Sequence, residues 1–271
     1  MAGMVDIHNH ILPQVDDGAD SLETSLEMLR RGLEEGIEVA VLTPHFKPGD
    51  DQEKAELHQQ RFAQLQEAVA GAGMAIQLFL GAEVGFRFGL AEVARWPGIP
   101  LAGSRYVLVD LPPGRLSGGL EKGMFELRTA GFRPILGHPE RHRQLTQDED
   151  QLQRLREQEL LFQIDAGSLT GRFGQRTQKA ARMLVERGWA EFVASDGHNL
   201  EKRPFTLRAA RQWVEEGVGP EEAQLLFSDN PWRLVRGESI AFREGQVRRI
   251  PGRPAPERQR GWLSRLLGAG K

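Results

Sequence analysis

The feature that most restricts this chain is a recurrence of short apolar runs, each followed by a helical stretch. The runs fall at 4–7, 39–42, 76–80, 106–109, 134–136, 161–164 and 192–194. Between and after them, residues 52–70, 119–130, 149–158, 176–187, 205–216 and 221–228 carry helix formers with apolar side chains at helical spacing. The first helical segment is the clearest, with Leu22, Leu26, Leu29 and Leu33 on one face. Asp20 with Glu23 is suited to cap its start, and Gly36 to end it. Such alternation calls for parallel strands with helices packed outside them. Seven units in one series predict an α/β fold closed, or nearly closed, into a distorted seven-stranded (β/α) TIM-like barrel. An open sheet fits less well.

No break in composition occurs before Pro251, so residues 1–250 are expected to form one domain and 251–271 a tail. The tail carries three prolines, five basic residues, one acidic residue and a final apolar cluster, Trp262, Leu263, Leu266 and Leu267. Two readings fit it: packing on the barrel, or contact with a partner or an anionic membrane surface. No stretch approaches the roughly 18 apolar residues that a spanning helix needs. With no secretory pattern at the N-terminus, a soluble cytoplasmic protein is expected. The absence of cysteine excludes a disulfide framework, thiolate–zinc sites and a cysteine nucleophile. A net charge of −3 argues against a nucleic-acid-binding surface.

The polar residues gather where the apolar runs stop. Asp6-Ile7-His8-Asn9-His10 leaves the first run with two imidazoles on the same side of an extended chain. Asp16-Asp17-Gly18 follows in the same loop. Thr43-Pro44-His45 follows the second run, Gly81-Ala82-Glu83 the third and Asp110 the fourth. Gly137-His138-Pro139-Glu140-Arg141 follows the fifth and Ser195-Asp196-Gly197-His198-Asn199 the seventh. In a β/α barrel the loops after the strands meet at one face, where active sites are built. The candidate set is therefore His8, His10, Asp17, His45, Glu83, Asp110, His138, Asp196 and His198. A single histidine or aspartate at a strand end is usually a turn former, but recurrence at all strand ends but one weakens that reading. Four carboxylates gathered without cations would repel one another at a cost of several kcal/mol each. Imidazoles with carboxylates and no thiolate suit Mn²⁺, Fe²⁺ or Zn²⁺, and nine donors exceed what one ion takes. A multinuclear metal site is expected. His58 lies in a charged helical stretch and is expected at the surface, and His142 has a weaker claim to the site mouth.

The ordered string of these motifs resembles the polymerase-and-histidinol-phosphatase superfamily. Within it, His10-Ile11-Leu12-Pro13, Asp16-Asp17-Gly18-Ala19, Arg203-Pro204 and Asp229-Asn230-Pro231 are similar to the bacterial tyrosine phosphatases of capsule and exopolysaccharide loci. The resemblance implies a seven-stranded barrel holding three divalent metal ions, Mn²⁺ foremost. It implies that His8, His10, Glu83 and Asp196 hold the first, and that Glu83 bridges to a second held by His138 and Asp110. Asp17, His45 and His198 would hold the third, with Arg141 and Arg203 gripping the substrate phosphate. The implied substrate is a phosphotyrosine protein, a membrane-associated tyrosine kinase, and no nucleic acid is implied. One departure stands out: at Asp110 the family pattern leads one to expect glutamate, one methylene longer. The alternatives are another phosphoesterase on the same site, such as a histidinol phosphatase, or a nucleic-acid proofreading module.

Overall fold

The computed structural model describes residues 3–111 and 119–242, and the tail at 251–271 lies outside the described residues. Nine strands are present among them: β1 (Met4–Asp6), β2 (Ile37–Leu42), β3 (His45–Phe46), β4 (Gln77–Leu80), β5 (Glu83–Gly85), β6 (Tyr106–Asp110), β7 (Arg133–Gly137), β8 (Leu161–Asp165) and β9 (Phe192–Ala194). Every pairing is parallel. The ladders trace two sheets, one ordered β1-β2-β4 and the other β3-β5-β6-β7-β8-β9. The fold is thus α/β with parallel sheets, and the expected closed seven-stranded ring is not what these ladders trace.

The two extra strands have a local cause. Pro44 has no N–H to donate, so the ladder is interrupted between β2 and β3. The neighbouring chain breaks at Gly81-Ala82, beside the first gap, where Gly81 N donates to Leu42 O (2.8 Å) and Glu83 N to Pro44 O (3.1 Å). At the other margin β1 and β9 meet just past their ends. Asn9 and Gly197 form a parallel bridge, Asp196 N donates to His8 O and His10 N to Gly197 O, both at 2.8 Å.

The strands bury both faces, which is why they read as unbroken apolar runs. Val107, Val109, Leu136, Phe162, Ile164 and Val193 pack with helix residues such as Met28, Leu65, Leu127, Leu155, Leu184 and Val214. The alternate residues Val5, Val39, Val41, Tyr106, Leu108, Ile135, Leu161 and Phe192 form a second cluster with Leu101, Leu234 and Ile240. The helix α1 (Leu22–Glu35) ends at Gly36 in the left-handed conformation (φ 91°), as expected. Its N-cap is Ser21 and not Asp20: the Ser21 hydroxyl accepts from Thr24 N, while Asp20 is taken by the Thr24 hydroxyl at 2.7 Å. The stretch expected as one helix at 221–228 divides into Pro220–Gln224 and a wide π turn, Leu225–Asp229, before the helix Asn230–Val235. Pro231 cannot donate to the carbonyl four residues back, which favours the wider turn.

His58 corrects the expectation of an exposed ring. On α2 (Gln52–Gly71) it belongs to the inward row Ala55, His58, Leu65 and Val69, and it is 1% exposed. Its ring stands edge-on to Phe46, with centroids 6.3 Å apart, and neither nitrogen is hydrogen-bonded among the described residues. Burial, helped by the charge of Lys54, pushes its pKa down to about 4. The unfolded chain then binds the extra proton as pH falls below about 6.5, so stability declines down to about pH 4 and levels off beneath it. The difference between pH 7 and pH 4.5 is expected to shrink by about 2–3 kcal/mol in His58→Leu, as measured by urea denaturation. An unchanged difference would show that this ring is not the titrating group.

Candidate metal centre

Asp6, wholly buried at the end of β1, clasps the two chain segments that carry most of the site. Its carboxylate accepts from the backbone N–H of His8 (3.0 Å) and Ser195 (2.7 Å) and from the Asn9 amide (3.0 Å). His8 and His10 therefore leave β1 beside Asp196 and His198, which leave β9. Asp196 and His138 hold positive φ (48° and 33°), a conformation that non-glycine residues adopt at a cost. Both are sited where the chain turns sharply off a strand.

Three buried atoms converge without a hydrogen-bond partner: His8 Nε2, His10 Nε2 and Asp196 Oδ1. His8 Nε2 lies 3.4 Å and His10 Nε2 3.3 Å from Asp196 Oδ1, and His10 Nε2 lies 3.5 Å from Glu83 Oε2. Leaving a polar atom buried and unpaired costs roughly 1–3 kcal/mol. Three of them within 4.8 Å of one another, with Glu83 beside them, is a donor arrangement that a divalent cation fits. The other ring nitrogens are already oriented, since His8 Nδ1 donates to Gln163 Oε1 (2.8 Å) and His10 Nδ1 to Asp16 Oδ2 (2.7 Å). Such outer partners hold each imidazole with Nε2 facing inward. Asp16 also accepts from the backbone of His45 (2.9 Å) and Gly18 (2.9 Å), tying the loop after β1 to the start of β3.

The remaining donors surround this point. His138 Nε2 is 2.9 Å from Glu83 Oε1, and His45 Nδ1 is 2.7 Å from Glu83 Oε2. Asp17 Oδ1 lies 3.2 Å from His45 Nε2 and 3.8 Å from His198 Nε2. Three overlapping groups have donor atoms within 4.8 Å of one another: His10, Asp17, His45 and His198; His8, His10 and Asp196; His8, Glu83 and His138. Eight of the nine residues expected from the sequence are thus brought together. Asp110 joins none of these groups, its Oδ1 standing 3.8 Å from His138 Nε2.

Opposite charges lie close together here and shift one another's protonation. Burial opposes ionisation of Glu83, but His8 and hydrogen bonds from His138 and His45 outweigh it and hold the carboxyl well below its usual range. Asp196 is likewise held low against its burial by His8 and His10. Burial works against protonation of His138, yet Glu83 raises it to about 9. Burial, with the Glu83 charge second, pushes Asp110 up.

Beside the donors lies a cavity of about 310 Å³, lined by Asp110, Leu111, His138, Arg141, His142 and Arg203 among others. Both arginines expected at the site are there, and so is His142. Arg141 Nη1 donates to Asp196 Oδ2 (2.6 Å), and Arg203 Nη2 donates to the same oxygen. The sequence does not single out Gln163, Leu111 or Asp165, and it offers Asp16 only as part of the Asp16-Asp17-Gly18 motif. Gln163 had a signal, being the one polar residue in the run Leu161-Phe162-Gln163-Ile164.

Gly18 sets how closely the Asp16-Asp17 loop approaches. A Cβ there would lie 1.9 Å from the His10 carbonyl oxygen, so no side chain fits. Gly18→Ala is expected to push the loop outward and lower stability by about 1–3 kcal/mol. Metal content and turnover should fall with it, checked by elemental analysis and thermal denaturation; normal values of both would show the loop is not held by this contact.

The family model for capsular polysaccharide synthesis, CpsB/CapC, matches residues 4–236. The chain is 30% identical over 258 residues to the tyrosine-protein phosphatase YwqE of Bacillus subtilis, covering 94% of this chain and 98% of that protein. It is 29% identical over 243 residues to the tyrosine-protein phosphatase CpsB of Streptococcus pneumoniae, covering 88% of this chain and 100% of that protein. Among solved structures, one from the crystallographic study of YwqE and CpsB, described as unique metal-dependent tyrosine phosphatases, superposes with a TM-score of 0.83. That likeness has 30% identity and covers 91% of this chain and 100% of the other. An organophosphorus hydrolase from Deinococcus radiodurans, 15% identical with a TM-score of 0.51, shares the fold alone.

Proposed function

This chain belongs to the capsular polysaccharide synthesis CpsB/CapC family, and from that membership we propose that it is a metal-dependent protein-tyrosine phosphatase. Its substrate would be a phosphotyrosine protein, a membrane-associated tyrosine kinase that controls capsule or exopolysaccharide synthesis. The observation that carries the metal-dependent part is the convergence of His8 Nε2, His10 Nε2 and Asp196 Oδ1, all buried and unpaired, beside Glu83. The likeness to YwqE and CpsB supports the choice of phosphotyrosine.

The proposal extends to details. His8, His10, Glu83 and Asp196 would hold one cation, His138 and Asp110 a second shared with Glu83, and Asp17, His45 and His198 a third, with Mn²⁺ foremost. A ring of seven strand positions is supported by the Asn9–Gly197 bridge if β2 with β3 and β4 with β5 each count as one position. Among the described residues no helix is long and apolar enough to cross a membrane, and a cytoplasmic location belongs to the same proposal.

Bound divalent cations supply charge that offsets the phosphoryl oxygens and lower the pKa of water toward about 7. The protein's own groups do the rest. Asp16 and Gln163 orient the imidazoles; Arg141 and Arg203 complement the charge of the transferring phosphoryl group. Leu111 gives the cavity an apolar wall for the aromatic ring of the leaving group. No covalent phosphoenzyme is needed, and a phenolate leaves more readily than an alkoxide. Turnover on phosphotyrosine peptides, phosphoserine peptides and histidinol phosphate tests the reading. Preference for the first is expected; preference for histidinol phosphate would overturn the substrate class.

Asp110 is the weakest member of the ligand set. Its side chain is one methylene short of the expected glutamate, and metal–oxygen bonds tolerate only about ±0.2 Å. Asp110→Ala is expected to lose part of the bound metal and most of kcat, whereas Asp110→Glu keeps both. Unchanged metal content and kcat in the alanine variant would remove Asp110 from the set.

A further inference from the structure

Arg141 and Arg203 look equivalent in the sequence but are held differently. Arg203 contacts Asp196 and sets its Nη1 against His198 Nε2 at 3.0 Å. Arg141 has two further neighbours. Its Nη1 lies 3.5 Å from Asp165 Oδ2, and its guanidinium carbon lies 4.6 Å from the ring of Phe173. Asp165 ends β8, the strand that carries no member of the ligand set, and its side chain is 1% exposed.

The local chain explains why these two neighbours come together. Asp165 N-caps the short helix Ala166–Thr170, its Oδ1 accepting from Gly167 N at 2.7 Å. Gly171 then takes a left-handed turn (φ 92°), and Arg172 N returns to Gly167 O at 2.9 Å. That reversal carries Phe173 back over the start of the helix, where a Cβ on Gly167 would sit 3.1 Å from both Asp165 Oδ1 and Phe173 Cε2. One oxygen of Asp165 builds the turn, and the other faces Arg141.

We propose that Asp165 and Phe173 are positioning residues that fix the direction of Arg141, so that its guanidinium is preorganised at the phosphate end of the cavity. The pair acts through Arg141 and touches no substrate itself. The face of the ring supplies a cation–π partner and blocks sideways swing of the guanidinium, while the carboxylate limits its rotation. This rests on the phosphatase reading.

The test is a double-mutant cycle on hydrolysis of a small aryl phosphate by the metal-loaded full chain. Asp165→Asn keeps the shape and the Oδ1 acceptor for Gly167, and is expected to lower kcat/KM roughly tenfold. Phe173→Leu should lower it several-fold, and Phe173→Tyr, which keeps the aromatic face, should recover it. In an Arg141→Ala background, Asp165→Asn and Phe173→Leu should have no further effect, and metal content should match that of the parent. The proposal is overturned if the losses persist undiminished without Arg141, or if they track loss of metal. A wild-type protein that hydrolyses no phosphomonoester would instead defeat the phosphatase reading. The same cycle is then read on calorimetric binding of inorganic phosphate, where Asp165→Asn should weaken binding only while Arg141 is present.

Discussion

Exhaustive chelation is expected to abolish hydrolysis, leaving less than about one thousandth of the activity, and Mn²⁺ should restore it better than Mg²⁺. Phosphate monoester hydrolysis is among the slowest uncatalysed reactions, so an enzyme must lower the barrier by on the order of 20 kcal/mol. The arginines alone supply only a fraction of that. The imidazole-rich donor set favours Mn²⁺ over Mg²⁺, which prefers oxygen ligands and keeps its waters. Removal should also lower the melting temperature, because a cation at 1,000 times its Kd stabilises the native state by about 4 kcal/mol. Full activity in excess chelator, with no metal found by elemental analysis, would sink the mechanism.

Arg141→Ala and Arg203→Ala are each expected to cost a factor of about 10² to 10³ in kcat/KM, or roughly 2–4 kcal/mol at the transition state. Metal content should be retained, since neither side chain is a donor. Lysine at either position should recover only part of the loss, because an ammonium cannot present two parallel N–H groups. Both guanidiniums rest on the same oxygen of Asp196, so either one alone still leaves that carboxylate paired. Wild-type kcat/KM in both alanine variants would remove the phosphate-gripping role.

Much of this arrangement was legible because strand ends mark themselves. His8, His10, His45, Glu83, His138, Asp196 and His198 follow apolar runs directly, and parallel topology brings such positions to one face. Asp16 was harder: in Asp16-Asp17-Gly18 two carboxylates compete, and only the folded loop decides that one orients His10 while its neighbour faces His45. Asp165 was missed because the apolar run was bounded at Ile164, one residue early. His58 was misread because charged neighbours outweighed the helical period that turns it inward. The break at Pro44 was visible as a residue, but its consequence, a divided ladder, depends on which strand lies alongside.

The Asn9–Gly197 bridge has a consequence for the order of events in a cell. The donors on either side of it, His8 and His10 on one hand and Asp196 and His198 on the other, are separated by almost the whole globular chain. At roughly 5–20 residues per second of synthesis, the second pair emerges about 10–40 s after the first. After Glu83 has been made, the two imidazoles still wait for Asp196, the other carboxylate that faces them both in the finished protein. The donor cluster of His8, His10 and Asp196 is therefore completed late, and a fragment ending before residue 196 would lack both that carboxylate and the oxygen on which Arg141 and Arg203 rest.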